Sequence, residues 1–390
     1  MRHLIDTYIR AEESEKISAF DDMSLIQLIV ERGPDAIEAL PERVRRNEEA
    51  VAETIENNVR KLIINESPID PAYYDKMSSL LDALIEHLRG ERNWHTLFDA
   101  LLMKKRQSLG LPLVRPTSLK DVPEGQRDEF EKFYIDTARE IGQLLLRDGS
   151  IAQAWNYFRA ISEPAPVAAA IEALPESAEP EEALVDIALF QGVAPVRGLQ
   201  MFLKSHGTCS TITALDQQFA QMTPDSRAAC ARVMVRRLYD DLRANVEHDV
   251  KRRQPLVAPG GSLKELIAGR EFLFAEDNYH IDVSHLNSVV RFGRMLNPTD
   301  PELGMALQLA QYGARLSPQY QYAGNPPFTE FYPAHQRYFQ ALLGQDREGA
   351  LAWFRQQIPA DGGDTDRQLA AFALVDLLQR LDRHSTYTYT

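Results

Sequence analysis

Apolar residues recur three and four positions apart along most of the chain, and convincing period-two alternation is hard to find, so the pattern predicts helices and an all-α fold. Residues 41–63, PERVRRNEEAVAETIENNVRKLI, carry Val44, Val51, Ile55, Val59 and Leu62 on one stripe, with acids and bases on the other faces. That is an amphipathic helix with one side to bury. A second follows Pro71, with Leu80, Leu81, Leu84 and Leu88 as its apolar face, and should stop near Gly90, where glycine can turn left-handed. Asn93 then suits an N-cap, and the segment closes on basic residues, Gly110 and Pro112, which is correct helix punctuation.

This reading divides the chain into an N-terminal helical region over 1–113 and a proline-rich, polar linker over 114–126, VRPTSLKDVPEGQ from Val114. Helix pairs are expected over 127–254: 127–147 with 150–162, 180–191 with 194–205, then 210–221 before a long helix at 224–252. An irregular connection over 255–283 follows, in which FLFAEDNYHIDV reads as a loop or a small hairpin. Helix pairs resume over 284–383, ahead of a polar tail at 384–390.

Within the pairs, Gly142, Leu145, Gly149, Ala154, Phe158 and Pro166 form a pattern. A second copy places Tyr338, Ala341, Ala350 and Phe354 at matching offsets, with Gly344 one place from the usual glycine. A third keeps small-residue spacing through Gly293, Ala306, Ala310, Gly313 and Pro318. The pattern resembles the tetratricopeptide repeat, in which small residues let two helices cross closely and a proline marks the exit. On that resemblance, Gly142 and Ala154 sit at a helix crossing, Phe158 fills the gap towards the next pair, and Asp148 with Gly149 makes the turn. Ile161 stands where the family prefers alanine, and the copies are not contiguous at the family's period of about 34 residues. The resemblance therefore implies an irregular α-solenoid, a stack of antiparallel helix pairs whose concave surface holds a protein or peptide partner. Trp94, Trp155 and Trp353, each in a helix after a turn, would be peptide anchors if any of them faces that groove.

Charge narrows the partner. At a net −14, phosphate-dominated binding to nucleic acid is disfavoured, and no run of about 18 apolar residues is present to span a membrane. Two cysteines, Cys209 and Cys230, are too few for a disulfide framework, which with the polar N-terminal segment makes the cytoplasm the expected compartment.

The competing expectation is an all-α enzyme with a buried polar or metal site. His280, Asp282 and His285 could hold a divalent metal, although Asp282 or Ser284 equally suits a helix N-cap. Asp241, Asn245 and Asp249 are spaced four apart on one helix face, resembling the magnesium-binding carboxylates of all-α prenyl-processing enzymes, though with Asn245 where a hydroxyl is wanted and Asp249 where a glutamate is. The plainer reading makes these acids a solvated face paired with Arg237 and Arg243. His206 three places before Cys209 could activate a thiol, whereas Cys230 reads as core. The runs MKKRQ and VKRRQ fall at predicted helix C-termini, where they complement the helix dipole. No Gly-rich phosphate loop or di-iron ligand pattern is present in the sequence, so no cofactor is expected.

Overall fold

The computed structural model describes residues 71–113, 115–254, 261–358 and 364–387; the amphipathic stretch 41–63 and the tail beyond 387 lie outside the described residues. Among the described residues the fold is all-helical, with one isolated bridge between Ala323 and Glu330. The helices are α1 (Pro71–Gly90), α2 (Trp94–Ser108), α3 (Glu124–Arg147), α4 (Ile151–Ala160), α5 (Ala165–Glu172), α6 (Glu182–Val185), α7 (Pro195–Gln218), α8 (Pro224–Arg253), α9 (Leu263–Ile267), α10 (Val283–Phe292), α11 (Glu302–Gly313), α12 (Phe331–Leu342), α13 (Arg347–Gln356) and α14 (Asp364–Tyr387). The polar tail expected from 384 is thus helical as far as Tyr387. The stretch 272–283 is a loop with short 3-10 turns rather than a hairpin. Helix α5 was not predicted, because its short alanine run lies among prolines and shows no amphipathic stripe.

The chain divides into two compact units, Met1–Ala173 and Leu174–Thr390. The stretch expected as a linker at 114–126 lies inside the first unit and is tied down there. Val122 is buried, and Arg106, itself fully buried, donates from Nε to the Pro112 carbonyl and from Nη1 to the Ser118 carbonyl at 2.7 Å. A buried guanidinium needs such acceptors to offset its lost hydration.

In the first unit each helix packs on the next in sequence, from α1 on α2 to α4 on α5, with α5 also touching α3. The turns share one mechanism. After α3, the Gly149 N–H donates to the Leu146 carbonyl and the Ser150 N–H to the Leu145 carbonyl, with Gly149 at φ 78°. This closure satisfies carbonyls that the helix end would otherwise leave open. The same pair of bonds ends α1 and α4, but with Arg92 and Ser162 in the left-handed position. Arg92, not Gly90, therefore makes the first turn, two residues later than expected. Between α3 and α4 the contact is close: a Cβ on Gly142 would lie 2.6 Å from Phe158 Cε2. Phe158, fully buried, packs against Gly142 within its own helix pair, where only a side chain as small as glycine's leaves room for its ring.

The second unit is organised around α8, against which α7, α9, α10 and α11 all pack. Ala231, Met234, Val235, Leu238, Leu242 and Val246 are its buried stripe. Thr223 caps it, accepting from the Ser226 N–H at 3.2 Å. The break expected after His206 is a kink inside α7, at Gly207 with φ 75° and ψ 178°. Further along, Ala306 and Ala310 are fully buried on α11, and a Cβ on Gly293 would meet Ala306 Cβ and Phe339 Cζ, each at 2.9 Å. Ala350 and Phe354 are buried on α13, and the α12 to α13 turn repeats the Gly149 closure at Gly344.

Candidate functional site

Two of the sequence-predicted clusters meet in the second unit. The loop before α10 brings His280 against α8, where His280 Nε2 lies 3.3 Å from Asp249 Oδ2. From α11, the Tyr312 hydroxyl sits 2.9 Å from both the His280 backbone nitrogen and Nδ1. One proton arrangement satisfies every contact. The backbone N–H donates to the Tyr312 oxygen, the Tyr312 O–H donates to Nδ1, and Nε2–H donates to Asp249. Asn245 adds a bond from Nδ2 to the His280 carbonyl at 2.8 Å.

Burial opposes charge on this histidine and pulls its pKa below 6.5, against the attraction of Asp249. On Asp249 burial pushes upward, but hydrogen bonds from Arg252, Arg253 and His280 overcome it and hold the carboxyl at about 2. Both side chains are nearly closed to solvent, at 6% and 9% exposure. His280 and Asp249 are thus committed to neighbours within the fold, which leaves no ring nitrogen and little carboxylate surface for an outside molecule.

The other acid and histidine expectations are corrected in the same region. Asp249 is not part of a solvated face; only Asp241 pairs as expected, with Arg237 at 2.8 Å, while Arg243 turns to Glu247 instead. His280, Asp282 and His285 do not converge, and no group of three potential ligands forms a metal site among the described residues. Asp282 is the N-cap of α10, accepting from the Ser284 and His285 N–H groups, while His280 is held by Asp249 and Tyr312. His206 meets Ser205 Oγ at 2.8 Å and stacks on Phe202, and Cys209, the thiol it could have activated, is exposed. Cys230 is fully buried and its thiol is pushed up to about 12 by that burial. The run VKRRQ does end α8, and two of its arginines hold Asp249.

A contrasting set of the same residue types lies open on the first unit. His95 on α2 is exposed; its Nδ1 is 2.7 Å from the Tyr157 hydroxyl and its Nε2 is 3.3 Å from Gln153 Oε1, both on α4. The His95 and Tyr157 rings stack with centroids 5.6 Å apart. Beneath them, the buried Phe98 ring meets Tyr157 and Tyr134 edge-on, at 5.1 and 5.4 Å. Tyr134 comes from α3, so the strip crosses three helices. Both phenols are raised in pKa, by burial first and by the Asp99 carboxylate second.

The tryptophans lie apart from this surface in role. Trp155 is 8% exposed and packed into the core, which removes it as an anchor. Trp94 is half-buried and donates from Nε1 to Asp148 at 2.6 Å, tying the start of α2 to the α3 to α4 turn. Trp353 is half-buried between Phe354 and the Arg337 guanidinium.

Compared with known proteins, the chain matches no family model, no curated protein and no solved structure. Sequence reasoning passed over His95, Phe98, Asp99, Tyr134 and Tyr157. A signal existed: His95 and Asp99 are four apart and so share one face of α2, and Gln153 and Tyr157 do the same on α4. What could not be seen was that these two faces meet.

Proposed function

We propose that this chain is a docking protein that holds a segment of another protein non-covalently on the face formed by α2, α3 and α4. The observation that carries the reading is the open strip of His95, Tyr134, Gln153 and Tyr157, set on helices that each pack on the next in sequence. Tyrosine and histidine offer large contact area together with polar edges, the composition favoured at sites that recognise peptides. The tetratricopeptide-like spacing supports the same reading, since stacked helix pairs present extended faces that stay rigid when a ligand arrives. The cytoplasm is the proposed compartment, in keeping with two thiols that are both free.

Selection of a random peptide library on the immobilised full chain tests the proposal. Enriched peptides should bind at about micromolar Kd, and Tyr157→Ala should weaken them about tenfold while leaving the far-ultraviolet circular dichroism unchanged. No enriched sequence, or peptides indifferent to Tyr157→Ala and His95→Ala, would overturn it.

A further inference from the structure

An aromatic patch lies open on the second unit, at the loop that carries His280. Tyr279 is 49% exposed, and its ring meets the half-buried Tyr320 edge-on with centroids 5.2 Å apart. Tyr320 closes the turn Pro318–Tyr320, and Tyr322, 52% exposed, follows it across an extended Gln321. A single exposed tyrosine is ordinary; rings brought together from two separate loops are the kind of surface that marks an interaction site. The loop that presents Tyr279 is held on both sides. Just before it, Asn278 donates from Nδ2 to the Leu273 carbonyl at 3.0 Å, and just after it the His280 N–H donates to the buried Tyr312 hydroxyl. A ring already held in place loses little freedom when a ligand stacks on it.

Charge selects the partner. Glu276 and Asp277 lead into Tyr279, both exposed, and neither carboxylate has a hydrogen-bond or ion-pair partner among the described residues. Two arginines of the adjoining segments are directed elsewhere: Arg270 donates to Gln254 and to the Glu265 and Leu266 carbonyls, and Arg315 pairs with Glu271 and lies over the Phe274 ring. Open aromatic faces beside unpaired carboxylates favour a cation on both counts, and an acidic partner would meet like charge.

We propose that the Tyr279 and Tyr320 rings, with Glu276 and Asp277, receive an arginine side chain of a partner protein, at a docking surface that uses none of the α2–α4 face. Arginine fits better than lysine because a planar guanidinium stacks on a ring while its N–H fork donates to a carboxylate. The partner is therefore a segment carrying an exposed arginine, drawn towards a chain of net charge −14.

Fluorine NMR of the full chain grown with 3-fluorotyrosine tests this, with signals assigned by their loss in Tyr279→Phe, Tyr320→Phe and Tyr322→Phe. The probes are an acetylated glycine–arginine–glycine amide and its neutral citrulline counterpart. The arginine peptide should shift the Tyr279 and Tyr320 signals saturably at about millimolar Kd, the citrulline peptide should not, and added salt should weaken the effect. Glu276→Gln combined with Asp277→Asn, amides of the same shape, should weaken the arginine peptide about fivefold, and Tyr279→Leu, followed at the Tyr320 signal, about threefold. No saturable shift at Tyr279 and Tyr320, equal shifts from citrulline, or undiminished binding by the doubly substituted chain would overturn the inference. Shifts confined to other tyrosines would overturn it as well.

Discussion

The two units set histidine, aspartate and tyrosine at different depths. In the second, Asp249, His280 and Tyr312 are drawn together inside a bundle built around α8, and each polar atom answers another. In the first, His95, Asp99, Tyr134 and Tyr157 lie across neighbouring helices at the surface, with His95 and Gln153 exposed. A helix surrounded by others forces its polar groups to find partners within the fold, because an unpaired buried group costs about 1–3 kcal/mol. Helices that pack mainly on their sequence neighbours leave part of a face near solvent. Residue type alone therefore does not mark a site; the packing around it decides whether the chemistry is closed off from solvent or reaches the surface.

The comparison breaks first at its hydrophobic contacts. Phe158→Ala should cost about 3–5 kcal/mol. In a unit held by successive contacts, the loss should appear as faster amide hydrogen exchange concentrated in α3 and α4. Leu238→Ala, at the buried centre of α8, should cost about 2–5 kcal/mol and accelerate exchange through α7, α9, α10 and α11 together. If Phe158→Ala spread as widely as Leu238→Ala, the difference in organisation between the units would be lost.

Next in size is the closed network. Tyr312→Phe removes the hydroxyl that serves both the backbone and the ring of His280, and should cost about 1–3 kcal/mol in urea unfolding. The pH dependence has a defined sign. Asp249 is depressed to about 2, so its contribution is complete above the ordinary carboxylate value of 3.8 and is lost as pH falls towards 2. His280 is also depressed, below 6.5, so the unfolded chain takes up its proton first and acidification below 6.5 again favours unfolding. Asp249→Asn should remove the first of these, flattening the acid limb by at most about 1.4 kcal/mol per pH unit. Asn245→Ala should have the smallest effect, about 1 kcal/mol, since it withdraws a single donor from the His280 carbonyl.

Much of the local structure was legible from sequence. Asn93 caps the helix it was expected to cap, Asp282 is the one of the two residues suited to cap α10 that does so, Gly149 makes its turn, and the long helix at 224–252 is α8. Each of these is decided within a few residues, by capping, by the left-handed tolerance of glycine or by apolar period. What escaped was decided over longer distances. Asp249 and His280 are 31 residues apart, and His95 and Tyr157 are 62 apart. No periodicity within one helix says which face of another it will meet. Arg92 taking the left-handed position near Gly90 is a local miss with a similar cause: the closure of the turn, set by the Leu88 and Arg89 carbonyls, overrode the intrinsic preference of glycine.

The most direct test of the docking account is a hydrogen-exchange footprint of the full chain saturated with a library-selected peptide. Slowed exchange in α2, α3 and α4, centred on the amides around His95, Tyr134 and Tyr157, is the expected result. Protection confined to α8, α10 and α11, with the α2 to α4 face unchanged, would contradict it.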